Sequence, residues 1–173
     1  MTQSLLSRRR FSLAMPSLVP LLGLSHYLPD LRAEAPGDQE ISRTEEAIHQ
    51  EVVLNASRKR VYAALTDEEQ FRKVSNGLET QISKEPGGTF SLFGKAIAGR
   101  HIQMLPSERL VQAWRSEGWP AGHYSIVRFQ LKEQGAQTKI VFDHTGFPKG
   151  QAEHLAGGWK QHYWEPLTQY FKG

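Results

Sequence analysis

The stretch Asp143-His144-Thr145-Gly146-Phe147-Pro148, followed from Gln151 by Leu155, Trp159, Tyr163 and Leu167, decides how this chain folds. It reads as a strand end, a glycine–proline turn and one long aromatic helix from Gln151 to about Phe171, spanning ~30 Å at about 1.5 Å per residue. Ala152, Leu155, Trp159, Tyr163, Leu167 and Tyr170 recur on one helical face, with His162 at its margin. A helix so rich in rings needs a broad apolar surface to lie against. In the strand before it, Ile140, Phe142 and His144 share one side while Val141 and Asp143 point to the other. Gly157-Gly158 costs about 1 kcal/mol per residue relative to alanine, so a strand or a ligand is expected to approach closely there. Pro166 lacks an amide hydrogen and clashes one turn back, so a bend is expected near Trp164-Glu165, with Trp164 off the main face and packed on a loop.

Working back from this helix, the middle of the chain is strand after strand: 79–83, 89–93, 97–105, 109–116, 124–133 and 137–145. Pro86-Gly87-Gly88, Gly94-Lys95, Pro106-Ser107, Pro120-Ala121-Gly122 and Gln134-Gly135-Ala136 separate them, and connections this short favour antiparallel neighbours. A first strand is read over 46–54, with Ile48, Val52 and Leu54 on one side. Ser57 caps a short helix carrying Val61, Tyr62 and Leu65; Thr66-Asp67 opens a second containing Phe71, which Asn76-Gly77 ends. The expected fold class is therefore α+β: an antiparallel sheet wrapped around a long C-terminal helix, with two short helices after the first strand.

The 173 residues suffice for one domain, and the hydrophobic share of 39% with 23% charged residues is that of a globular protein. The absence of cysteine excludes disulfides, thiolate nucleophiles and thiolate metal sites. The net charge of +3 is concentrated at the N-terminus: without residues 1–35 the chain keeps 17 basic and 16 acidic side chains, with no stripe of Lys and Arg to neutralise phosphates. Nucleic acid is not an expected partner. Ser7-Arg8-Arg9-Arg10-Phe11 looks like the twin-arginine export motif, built on Arg8 and Arg9, ahead of a weakly apolar run that Pro16, Pro20 and His26 make a poor membrane anchor. Residues 1–35 are accordingly read as an export signal ending near Ala33-Glu34-Ala35, 36–44 as a linker and 45–173 as the folded domain. The twin-arginine export machinery is then a partner, the destination is periplasmic or secreted, and no stable membrane span is expected; without a working signal the chain would stay cytoplasmic.

The order of elements resembles the START-like helix-grip fold. The segment from Ala56 to Asp67 looks like the opening strand-to-helix segment of the SRPBCC superfamily, and Pro106 to Arg115 resembles its central strand. His144-Thr145-Gly146-Phe147-Pro148 and Gly157-Gly158-Trp159-Lys160-Gln161-His162-Tyr163-Trp164-Glu165-Pro166-Leu167 are similar to the closing turn and helix of one branch, the homologues of the activator of heat-shock-protein-90 ATPase. The resemblance runs from about Glu45 to Phe171. It implies the helix-grip fold and leaves activity open, because the superfamily holds lipid carriers, receptors, cyclases and co-chaperone domains on one scaffold. Phe71-Arg72-Lys73-Val74 lacks the tryptophan that relatives often carry after this phenylalanine, which implies a wider or differently shaped cavity mouth.

Trp114, Phe142, Trp159 and Tyr163 are candidates to line a pocket for a small apolar or amphipathic molecule; the same rings would equally fill a core. Among His101, His123, His144, His154 and His162, the pair His144 and His162 is expected to meet inside the grip and orient a polar end of the ligand. His144 is the candidate acid–base group should the chain be a cyclase- or dehydratase-type enzyme. No His-Glu-x-x-His, nucleophile elbow or phosphate-cradling glycine loop occurs, so no metal, cofactor or catalytic triad is expected. The favoured expectation is non-catalytic ligand binding. A chaperone-interacting module is the other rival, which export would separate from an ATP-driven cytosolic chaperone.

Overall fold

The computed structural model describes residues 46–172; the segment holding Arg8 and Arg9 and the linker over 36–44 lie outside them. Strand β1 (Ala47–Leu54) leads into helices α1 (Arg58–Thr66) and α2 (Glu68–Val74). Six strands follow: β2 (Gln81–Ile82), β3 (Thr89–Leu92), β4 (Ile97–Leu105), β5 (Arg109–Ser116), β6 (Ser125–Gln134) and β7 (Gln137–Thr145). The chain ends in α3 (Ala152–Trp159), a π-helical turn (Lys160–Trp164) and α4 (Glu165–Tyr170). The seven strands form one sheet in the order β1-β7-β6-β5-β4-β3-β2, antiparallel throughout. This is the α+β helix-grip architecture, and the strand ends fall close to where the alternation and turn residues put them.

The alternation carries the fold. Ser125, Val127, Phe129 and Leu131 of β6 are buried, while Ile126 and Arg128 between them are exposed. Leu110, Gln112 and Trp114 of β5 and Ile140, Phe142 and His144 of β7 extend the same inner face, on which the C-terminal helix lies through Leu155, Trp159, Tyr163 and Leu167. Caps define the short helices: Ser57 Oγ accepts from the Arg60 amide, and Asp67 Oδ1 from the Gln70 amide. Asn76 at φ 56° and Gly77 at φ 85° then turn the chain out of α2. Thr138 Oγ1 donates to the Ala56 carbonyl at 2.7 Å, tying β7 to the corner that leads into α1.

The C-terminal helix departs from expectation at its proline. The Glu165 amide bonds back to the Lys160 carbonyl, five residues away, and the backbone runs on through Pro166 into α4. A wider turn of this kind makes room for the pyrrolidine ring and removes the need for the amide that proline lacks. It also moves the phase of the helix by about one residue. Tyr163 and Trp164 are consequently both buried, and Trp164 packs on Phe142 at 5.1 Å between ring centres rather than on a loop. The indole Nε1 of Trp164 donates to Gln50 Oε1 of β1 at 2.6 Å.

Gly99 of β4 sits where a neighbour needs the space of its missing side chain: a Cβ there would collide with the Ala113 carbonyl oxygen and the Phe90 ring. Backbone on one side and a buried ring on the other cannot yield cheaply. Gly99→Ala is expected to destabilise the domain by ~2 kcal/mol or more, read as a lower urea midpoint. An unchanged midpoint would mean that β3 and β4 separate more readily than this packing implies.

Candidate functional site

At the centre of the inner face, His144 is wholly buried and both of its ring nitrogens are engaged. Trp159 Nε1 donates to His144 Nδ1 at 3.0 Å, so Nδ1 is the unprotonated nitrogen and the neutral ring carries its hydrogen on Nε2. That Nε2 lies 2.7 Å from Ser125 Oγ, which in turn donates to the Trp114 carbonyl at 3.0 Å. The chain Trp159 → His144 → Ser125 → Trp114 is thus complete, each hydrogen having one acceptor. Burial lowers the His144 pKa from 6.5 to about 4. Trp114 at 5.1 Å, Phe147 at 5.0 Å and Trp159 at 5.7 Å surround the ring edge to face.

Above this layer the helix and sheet part. A cleft of about 1000 Å³ opens between α3 and the β3–β5 end of the sheet. Trp114, Trp159 and Tyr163 form its floor, with Phe93 and Leu78 on one side and Trp119 on the other. Phe93 holds a left-handed backbone at φ 55°, unusual for a bulky side chain, and its ring stands edge-on to Tyr163 at 5.4 Å. Trp119 is carried by the β5–β6 loop, which Arg115 fastens by donating to the Trp119 carbonyl at 2.8 Å. His123 of the same loop approaches the Gly146 carbonyl through Nε2 at 3.2 Å. Gly157 and Gly158 face the cleft, and a Cβ at either would meet nothing within 4 Å. The close approach expected at these glycines is therefore not made by a strand: they leave a bare stretch of helix along open space.

The residues singled out in the sequence divide between these two layers. Trp114, Trp159 and Tyr163 border the cleft; Phe142 and His144 lie beneath it, where Phe142 packs on Trp159 at 4.4 Å and Phe129 at 5.2 Å. His144 and His162 do not meet. The π-helical turn leaves His162 exposed on the cleft rim against Phe93, at 5.9 Å between ring centres. His144, enclosed and doubly bonded, has no free nitrogen to offer a reacting group. His101 is a second buried histidine, 3.4 Å from Gln112 through Nδ1 and packed on Phe90, with its pKa lowered by burial. Burial works against Asp143 ionising, but bonds from His49 at 2.8 Å and Arg128 at 2.6 Å outweigh it and hold the carboxyl below its ordinary value, on the opposite face from His144. No cluster of three metal-ligating side chains occurs among the described residues.

Phe93, Trp119, Ser125 and Gln50 were not legible as site residues. Phe93 and Trp119 stand at a strand end and in a turn, where periodicity carries no signal; an aromatic ring lodged among turn residues, as in Gly118-Trp119-Pro120, is the hint that was there.

A helix-grip domain with a half-open aromatic cleft is thus the class that fold and site define. The chain belongs to the family described as Activator of Hsp90 ATPase homolog 1-like protein, whose model matches residues 55–172. It is 24% identical over 111 residues to the human activator of 90 kDa heat shock protein ATPase homolog 1, a match covering 64% of this chain and 32% of that protein. A homologue of the same activator from Dictyostelium discoideum is 32% identical over 91 residues, 24% of its own length. The chain thus spans about a third or less of these two relatives. Among solved structures, the HSP90 activator PFC0360w of Plasmodium falciparum superposes with a TM-score of 0.68 at 22% identity, covering 70% of this chain and 93% of the other. CalU16 of Micromonospora echinospora gives 0.62 at 24% identity, covering 72% and 75%. At these identities the structural matches speak for the fold. Among the described residues no helix is long and apolar enough to cross a membrane.

The depressed His144 pKa has a signed consequence. Between the ordinary value of 6.5 and about 4, the unfolded chain binds a proton at this position that the folded chain refuses. Stability from this residue is therefore full above pH 6.5 and falls as the pH drops toward 4, by ~1.4 kcal/mol per pH unit at most. His144→Gln should be less stable than the parent at pH 7, and its urea midpoint should fall less steeply between pH 6.5 and pH 5. Equal slopes in the two proteins would assign the acid sensitivity to other groups.

Proposed function

We propose that this domain binds a small apolar or amphipathic molecule in the cleft between α3 and the β3–β5 end of the sheet, without transforming it. The observation that carries the reading is the cleft itself: about 1000 Å³, floored by Trp114, Trp159 and Tyr163 and left clear by Gly157-Gly158. A space of that size suits a ligand of drug-like dimensions. Removing apolar surface from water contributes roughly 25 cal/mol per Å², less the cost of ordering the ligand. Among the described residues the cleft presents no buried acid–base pair, and His144 is committed to Trp159 and Ser125, so binding is favoured over cyclase- or dehydratase-type chemistry. Native mass spectrometry of the protein purified from its own host tests this. A co-purifying small molecule is expected, and Gly157→Leu, which places a side chain in the open space, should lose it while keeping the parent's circular dichroism. A parent that emerges empty from every preparation would overturn the carrier reading.

Family membership favours a second reading, a module that engages an ATP-driven 90 kDa chaperone. That contact would use an outer surface, so stimulation of the chaperone's ATPase by Gly157→Leu as strongly as by the parent would support it.

Export is part of the first reading and rests on Ser7-Arg8-Arg9-Arg10-Phe11. With the twin-arginine machinery as partner, the domain would act in the periplasm or outside the cell. Arg8→Lys combined with Arg9→Lys should then leave the protein in the cytoplasmic fraction of its host. Unchanged fractionation of the double variant would remove export from the proposal.

A further inference from the structure

The two edges of the sheet are unequal. β2 is two residues long and offers little to a neighbour, whereas β1 runs for eight and pairs with β7 along its whole length without a bulge. Among the described residues no strand lies on the other side of β1. Edge strands are ordinarily guarded by proline, lysine, a bulge or sheer shortness, and between Ala47 and Leu54 there is none of these. The solvent-facing side of the strand carries Val53, 45% exposed, together with Ala47, His49 and Glu51. On the helix side a groove of about 560 Å³ separates Gln50 and Val52 from Lys160, Glu165 and Thr168, and is open to side chains arriving beside β1.

Register decides which strand fits. We propose that it is β1 of a second copy of this chain, laid antiparallel about a two-fold axis that passes through Gln50 and stands normal to the sheet. An antiparallel pair of identical strands keeps outward residues opposite outward residues only where the axis falls on a residue, not between two. An axis at His49 would set histidine against histidine, and one at Glu51 would set two carboxylates face to face, which is destabilising. Axes nearer the strand ends shorten the ladder. With the axis at Gln50, His49 lies opposite the second copy's Glu51 and Ala47 opposite its Val53, while Ile48 meets its Val52 beneath the sheet, each pair formed twice. The Gln50 side chain is already bonded to Ala156 and Trp164 of its own chain. Within one copy Asp143, itself held by Arg128, lies 2.8 Å from His49 Nδ1, and Lys139 pairs with Glu51. An imidazolium at His49 would donate from Nδ1 to Asp143 and from Nε2 to the incoming Glu51, one cation between two carboxylates. The cleft opens at the β3–β5 end of the sheet, so pairing at β1 leaves it free in both copies.

Edge pairing buries less than a standard interface, so the full chain at pH 6 should pass from monomer at about 1 μM to dimer at about 500 μM in sedimentation velocity. Because the chain has no cysteine, introduced thiols read the register directly. Ala47→Cys combined with Val53→Cys sets thiols opposite each other across the axis, with β-carbons about 5 Å apart, while the two within one copy stand about 20 Å apart along the strand. Mild oxidation should convert this variant to a covalent dimer. Val53→Cys alone, whose thiols remain about 20 Å apart in the dimer, should not cross-link. His49→Glu opposes two carboxylates on each side of the axis and should weaken the dimer at least about tenfold, and adding Glu51→Lys should restore most of the loss. Both positions are exposed, so circular dichroism should match the parent in each variant. A monomer at every concentration would overturn the proposal. A dimer that neither cross-links through the paired thiols nor responds to His49→Glu would overturn it as well, and would assign the contact to another face.

Discussion

The hydrogen bond from Trp159 to His144 is the constraint on which the rest of the helix–sheet contact depends. It joins the midpoint of the C-terminal helix to β7 inside a wholly apolar surround, where an unmade hydrogen bond costs more than it would at the surface. Because Trp159 is a pure donor, it fixes the tautomer of His144, and through Nε2 it settles the roles of Ser125 and the Trp114 carbonyl. One polar chain thereby sets the rotation of the helix about its axis and its position along the sheet. Ring packing alone would tolerate a slip; four groups that must each find a partner do not. The low pKa of His144 belongs to the same arrangement, since a proton on Nδ1 would displace the indole donor as well as bring a charge into the core.

A second fastening explains why a cleft lies on one side only. Gln50 of β1 donates through Nε2 to the Ala156 carbonyl at 3.1 Å and accepts from Trp164 Nε1 at 2.6 Å, bridging α3 and the end of the π-helical turn. Both bonds lie toward the β1–β7 edge of the sheet. Toward β3, β4 and β5 the helix presents Gly157 and Gly158 and, among the described residues, makes no comparable bond, so that edge of the sheet stands away from it. Pro166 contributes indirectly. By calling for a wider turn, it brings Trp164 round to Gln50, and the same change of phase carries His162 out to the rim.

Most of the fold was legible because it rests on period-two alternation, broken by glycine, proline and asparagine where the chain turns. β5, β6 and β7 fall within a residue or so of their expected limits for that reason. The family resemblance was legible for the same reason, since its motifs sit at those turns and on the aromatic helix. The placing of the rings was less so. A helical wheel of 3.6 residues per turn assigns Trp164 outward and His162 to the margin of the inner face, and the π-helical turn buries the first and exposes the second without any change in composition that a wheel would detect. The partnership of Ser125 with His144 depends on neighbouring strands: β6 pairs Val127, not Ser125, with His144, so the hydroxyl reaches the ring diagonally across the register. Glycines in a helix signal that something needs the space, but not whether that is a neighbour or a void. Here it is a void.

Core and cleft are usually opposed readings of an aromatic cluster, and in this domain they are two levels of one stack. Phe142, His144 and Phe129 are fully enclosed and hold position by packing and by the polar chain; Trp159 is common to both levels, bonded below and bordering open space above. A ring fixed from beneath in this way is a rigid border to the cleft, with little side-chain entropy left to lose. The rigidity of the floor and the openness above it therefore have a single origin. The bonds that tie the helix to β7 and β1 hold it on one side, and on the other it borders the cleft with Trp159, Tyr163, two glycines and a polar rim of Glu153, His154, Gln161 and His162.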